Sequence, residues 1–186
     1  EDVTDVILTH LHIDHCRGTT KYDDDNNLVL TFPNANHHIS RLQWEQSLNP
    51  NYRERASYVK ENTGLLEKSN KLKLIEQDSK ISYNISVELF YGHTQGLMVP
   101  IINYNGREIA FPGDLIPIKA LIPLAWISAY DVRPLDTIDE KKRFLNESYE
   151  KNRLIVFQHD YYTEACDLKK TDKGIRADKV YKIEEF

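Results

Sequence analysis

The apolar positions of this chain fall into short runs separated by polar turns. Residues 6–8, 28–32, 87–91 and 154–157 are rich in β-branched, leucine and aromatic side chains, which predicts short buried strands. Residues 71–76 alternate charged and apolar side chains, the mark of a half-buried strand. Asn105-Gly106, between the apolar runs 98–104 and 107–111, predicts a two-residue hairpin. A further short strand is expected through His38-Ile39 after the turn at Pro33-Asn34, with His37 and His38 in structural roles, and a closing strand is expected over 180–183. Three segments follow a helical pattern instead. Ser40 can cap a helix over 41–47 that Asn49-Pro50 ends, and a second helix is predicted over 53–60 with a break near Asn62-Thr63-Gly64. A charged amphipathic helix is predicted over 137–152, with Ile138, Phe144, Leu145 and Tyr149 inward. There are no repeats or linkers, so one domain over residues 1–186 is expected, of α/β class and α+β type.

Composition narrows the functional classes. With 40% hydrophobic and 28% charged residues in 186, the chain is an ordinary globular protein. Its formal net charge of −5 offers no basic surface for a phosphate backbone, so nucleic acid is not an expected partner. No apolar run reaches the ~18 residues of a membrane span, and no membrane partner is expected. The two cysteines, Cys16 and Cys166, are too few for a disulfide scaffold, which points to a cytoplasmic setting, and both are expected to be small packing residues. Asp23, Asp24 and Asp25 read as a solvated loop. The least polar stretch, 115–130, carries Pro117, Pro123, Trp126 and Tyr130 and is a candidate pocket wall or a core-packing loop.

The concentration of chemistry lies elsewhere. Directly after the strand at 6–8, His10, His12, Asp14 and His15 fall within six residues. Alternate residues of an extended segment point the same way, so His10 and His12 can converge on one ion, while Asp14 and His15 turn with the loop. Neutral imidazole and carboxylate suit zinc, iron and manganese, and no nearby cysteine pair offers a structural thiolate site.

The pattern His10-x-His12-x-Asp14-His15, followed in order by Gly92-His93-Thr94, Gly113-Asp114 and Gln158-His159-Asp160, resembles the ligand signature of the metallo-β-lactamase superfamily. The resemblance implies a four-layer αββα sandwich with mixed sheets. It implies two zinc ions per chain, with iron or manganese as alternatives. His10, His12 and His93 would hold one ion, Asp14, His15 and His159 the other, and Asp114 would bridge them. The activity implied is hydrolysis of a small-molecule substrate by a bridging hydroxide, with Asp14 shuttling a proton to the leaving group. His12 stands where the diiron electron-transfer members resemble His-x-Glu-x-Asp, which favours hydrolysis over oxygen reduction. The closing Gln158-His159-Asp160 is similar to that of the acyl-homoserine-lactone lactonase branch. This chain departs from that branch at Pro117, where a tyrosine is usual, and at Leu97, where a histidine is frequent. The substrate class expected is therefore a small ester, lactone, thioester or amide. The alternatives are a single-iron sulfur dioxygenase of the same superfamily and a non-catalytic metal-binding domain. Members of the family carry strands ahead of the first histidine cluster, so this chain is expected to lack its N-terminal strands, or to receive them from a separate chain or as a homo-oligomer. In the family, the insertion between the first cluster and His93 carries substrate-facing residues. Trp44, Tyr52 and Tyr58 of that insertion are expected to be packing groups here.

Overall fold

A computed structural model describes residues 2–185. The chain divides into two compact units, Glu1–Gln77 and Asp78–Phe186.

The first unit is built on three parallel strands in the order β1 (Asp5–Ile7), β4 (Asn36–Ser40), β5 (Leu72–Ile75). A short antiparallel pair, β2 (Thr20–Tyr22) and β3 (Leu28–Leu30), stands apart from it. The strand expected at 28–32 is therefore shorter, and its partner at 20–22 was not legible in a polar stretch. Helix α1 (Ile13–Cys16) is a single turn after the histidine cluster begins. Helix α2 (Arg41–Leu48) starts where Ser40 predicts, with the Ser40 hydroxyl accepting the Gln43 N–H. The helix predicted over 53–60 is not there. Asn51 instead folds a turn, its Oδ1 accepting the N–H groups of Arg53 and Glu54 at 2.9 and 3.0 Å, and only a short 3-10 turn follows at Arg55–Ser57. Helix α3 (Lys60–Lys68) runs through Gly64, where a break was expected. The ~1 kcal/mol propensity cost of a mid-helix glycine is smaller than the gain from burying Leu66.

The second unit is a seven-stranded mixed sheet in the order β12-β11-β10-β9-β8-β7-β6. Its strands are β6 (Ser79–Lys80), β7 (Ile85–Phe90), β8 (Leu97–Tyr104), β9 (Arg107–Ala110), β10 (Leu154–Val156), β11 (Ala165–Thr171) and β12 (Gly174–Tyr181). Only β9 and β10 pair in parallel; the rest are antiparallel. The β8–β9 turn is formed by Asn105 and Gly106, both at positive φ, as the hairpin signal requires. The closing strand expected at 180–183 is the end of a longer hairpin, β11–β12, whose charged sequence hides its alternation.

Helix α4 (Pro134–Glu150) begins three residues earlier than expected, because proline is tolerated at the first helical position. It buries Thr137, Lys141, Phe144, Leu145 and Ser148, whereas Tyr149 is 39% exposed and not inward. Phe144 meets Phe90 of β7 edge to face at 5.9 Å, in a core that also takes Leu97, Val99, Ile101, Leu115, Ile116 and Ile122. The stretch 115–130 thus contributes Leu115, Ile116 and Ile122 to the core, while Trp126 and Tyr130 are exposed at 62% and 80%. Among the described residues, no helix is long and apolar enough to cross a membrane.

Candidate metal centre

In the first unit, the extension of β1 carries the cluster. Leu8 donates to the His38 carbonyl at 3.0 Å, which prolongs the pairing by one residue before the chain bends at Thr9 and reaches His10. His12 then sits at the N-cap of α1, with extended φ and ψ, and its carbonyl accepts the N–H groups of His15 and Cys16 at 3.0 and 3.1 Å. The turn folds His15 back onto His10, their ring centroids 4.0 Å apart, while His12 meets His10 edge to face at 4.6 Å. Asp14 Oδ2 lies 3.3 Å from His15 Nε2 and its side chain is 57% exposed. His10 and His12 are buried, with Nδ1 of His10 3.1 Å from the Thr9 hydroxyl and Nε2 of His12 3.2 Å from Glu54 Oε1.

In the second unit, the remaining three expected ligands stand where strands end. His93 follows β7, Asp114 lies in the 3-10 turn Gly113–Leu115 after β9, and His159 follows β10. Gly113 has φ of 51°, a left-handed conformation that favours glycine and turns Asp114 out of the strand direction. Asp114 presents one oxygen to each histidine, Oδ2 at 3.3 Å from His93 Nε2 and Oδ1 at 3.2 Å from His159 Nε2. Around a tetrahedral ion with bonds of about 2.0–2.1 Å, neighbouring ligand atoms lie roughly 3.3 Å apart. The His93–Asp114, His159–Asp114 and Asp14–His15 separations all match such an edge. The donor set is imidazole and carboxylate throughout, so the residues of each unit fit a divalent metal.

His93 is held more firmly than its motif suggests. Its Nδ1 is 2.9 Å from Oδ1 of buried Asp131, an acceptor, so Nδ1 donates there and Nε2, on the Asp114 side, is the nitrogen left to hold an ion. Glu140 of α4 accepts the N–H groups of Tyr91 and Gly92 at 2.7 and 2.9 Å, while Val132 and Arg133 donate to the carbonyls of His93 and Gly92. Burial pushes the Glu140 carboxyl up, and the two N–H groups pull it down. At His159 the neighbouring Asp160 accepts the N–H groups of Lys119, Tyr162 and Thr163; burial works to raise its carboxyl, but these bonds hold it below the usual carboxylate range. Sequence reasoning missed Asp131, Glu140 and Glu54. None carries a local signal, because they lie 38, 48 and 42 residues from the groups they hold.

Residues 1–159 match the metallo-beta-lactamase superfamily. The chain belongs to that superfamily. Among solved structures it is similar to a probable metal-dependent hydrolase from Staphylococcus aureus, with 28% identity and a TM-score of 0.85 over 97% of this chain and 62% of that one. It is also similar to AidC, a dizinc quorum-quenching lactonase solved in complex with a product, at 24% identity and TM-score 0.77 over 98% of this chain and 66% of that one. A third is the hydrolase AbOPH, at 20% identity and TM-score 0.82, with 98% and 66% covered. The chain thus spans 62–66% of the length of these structures. Among curated proteins the sequence finds no match. The fold is that of the superfamily, mixed sheets with flanking helices. Two departures from the lactonase pattern now have structural meaning. Leu97 is a core residue of β8, and the Pro117 carbonyl accepts the His159 N–H at 3.1 Å.

Proposed function

We propose that this chain forms the metal-binding part of a hydrolase that cleaves a small ester, lactone, thioester or amide with two zinc ions. In this reading His10, His12 and His93 hold one ion, Asp14, His15 and His159 the other, and Asp114 bridges. The observation that carries it is Asp114, with one carboxylate oxygen at ligand-edge distance from each of His93 and His159. The dizinc content of AidC supports the choice of metal. Bound zinc would supply Lewis acidity toward the scissile carbonyl oxygen and would make water acidic near neutral pH. The chain's own residues supply the rest. Asp131 keeps the His93 proton on Nδ1, and Asp14, half exposed beside His15, is placed to carry a proton to the leaving group.

The test is metal analysis by mass spectrometry on the purified protein, with hydrolysis of an ester, lactone and thioester panel before and after chelation. Two zinc ions per chain and activity lost on chelation and restored by zinc are expected. Iron at one per chain would move the reading to a sulfur dioxygenase, and full metal loading without hydrolysis would move it to a metal-binding domain. Asp14→Asn should depress turnover more than metal content; unchanged turnover would remove Asp14 from the proton path.

A further inference from the structure

Glu54 is a buried carboxylate in the segment between α2 and α3, far in sequence from every residue of the ligand motifs. A buried carboxylate needs donors, and here the donors are supplied by a small network. Gln46 Nε2 reaches Oε2 at 3.0 Å, Asn51 Nδ2 donates to the same oxygen, and the Tyr58 hydroxyl lies 3.2 Å from Oε1. The network is anchored to α2 on the other side, where Tyr58 donates to Gln43 Oε1 at 2.8 Å and Gln43 itself is held by the Ser40 cap. Asn51 sets the backbone of Glu54 through its own Oδ1. Oε1 also lies 3.2 Å from His12 Nε2, and the Tyr58 ring stacks edge-on to the His12 ring at 5.2 Å.

We propose that Glu54 is a positioning residue for His12: it holds the ring proton on Nε2 and so makes Nδ1 the nitrogen that ligates the metal. This rests on the reading of His12 as a ligand. Oε2 of Glu54 is engaged by the Gln46 and Asn51 amides and Oε1 faces His12 Nε2, so Glu54 acts on the ligand and not on the ion. The geometry also restricts the ring. Nε2 is tied to Glu54 on one side and the Tyr58 ring covers another, so the imidazole is oriented before metal arrives, and the carboxylate raises the basicity of Nδ1. The α2–α3 insertion thus serves the first ligand cluster through Glu54 and Tyr58. Tyr52 has no such role; it is exposed and lies under the Arg55 guanidinium.

The test uses the protein with Glu54→Ala and the near-isosteric Glu54→Gln. Nitrogen-15 NMR of the metal-free protein at mildly alkaline pH reads the His12 tautomer, with His12→Asn assigning the signal. Zinc affinity is read separately by competition with a chelating dye. Wild type should show the proton on Nε2. Glu54→Ala should release it toward Nδ1 and weaken zinc binding by roughly 10–100-fold, while Glu54→Gln, whose amide oxygen still accepts, should keep the tautomer and weaken zinc binding less. If Glu54→Ala does not fold, Glu54→Gln decides, since unchanged affinity there overturns the proposal. A wild-type proton on Nδ1, or zinc retained equally by wild type and Glu54→Ala with an unchanged tautomer, also overturns it and leaves the hydrolase reading standing. A wild type that binds no zinc would instead remove the hydrolase reading.

Discussion

Gly92→Ala tests how closely the His93 loop is packed against α4. A Cβ built on Gly92 would lie 2.6 Å from the Thr137 Cα, and nearer still to the Thr137 N and Oγ1. Ordinary contacts are about 3.5–4.0 Å, so loop or helix must move by roughly 1 Å. Neither gives easily. The Thr137 N–H is bonded to the Arg133 carbonyl at 3.0 Å, and Glu140 accepts the Tyr91 and Gly92 N–H groups from the same helix. Overpacking costs about 1–3 kcal/mol, and loosening one charge-assisted bond adds about 1.5–3 kcal/mol. A loss of roughly 3–5 kcal/mol follows, or about 10 °C in Tm for a chain of this size. The displaced loop should also carry His93 away from Asp131 and Asp114 and weaken zinc binding. Urea denaturation and dye competition measure the two effects. Gly64→Ala is the internal comparison. Its Cβ meets nothing within 4 Å and the position is helical, so it should stabilise by about 0.5–1 kcal/mol. A Gly92→Ala protein within about 1 kcal/mol of wild type, with unchanged zinc affinity, would refute the reasoning. So would full rescue by Thr137→Ala, because that change leaves the backbone N and Cα in place.

Two further perturbations probe groups that position the loops. Buried Lys141 donates to the carbonyls of Leu121, Pro123 and Trp126 at 2.7, 2.9 and 2.6 Å, fastening the 115–130 stretch to α4. Burial pushes its ammonium down to about 8, with the Asp131 carboxylate pulling the other way. Between about 8 and the unfolded value of 10.5 the unfolded chain holds a proton that the folded chain has released, so stability rises with pH through that window. Lys141→Met should therefore destabilise by about 2 kcal/mol near neutrality, through three unsatisfied carbonyls. The gap to wild type should widen by up to about 3 kcal/mol by the top of the window. A pH-independent gap in paired urea titrations would contradict this. Asp131→Asn keeps an acceptor near His93 Nδ1 but removes its charge; zinc affinity should fall by about tenfold with stability within ~1 kcal/mol, and unchanged affinity would show that Asp131 does not tune the ligand.

Much of the local architecture was legible because its causes are local. The Ser40 cap, the Asn105-Gly106 turn and the strands that deliver His93 and His159 each depend on residues within a few positions of one another. The histidine cluster is readable for the same reason: His10, His12 and His15 lie within six residues, and the helical turn that starts at His12 sets the His12 and His15 rings 4.6 and 4.0 Å from that of His10. The misreadings share the opposite cause. The helix expected at 53–60 yields to an Asn51 turn whose side chain competes with the backbone, and α3 continues through Gly64 because Leu66 is buried. The β11–β12 hairpin is stabilised by pairing that its charged sequence does not advertise.

By itself, then, the sequence determined the candidate ligand types, their order and the strand ends that present His93 and His159, since these follow from side-chain chemistry and short-range periodicity. Only the tertiary structure decided which carboxylates hold the rings of His93 and His12. Asp131 reaches His93 across 38 residues and Glu54 reaches His12 across 42, and a hydrogen bond between groups so far apart in the chain exists only once folding has brought them within 3.2 Å.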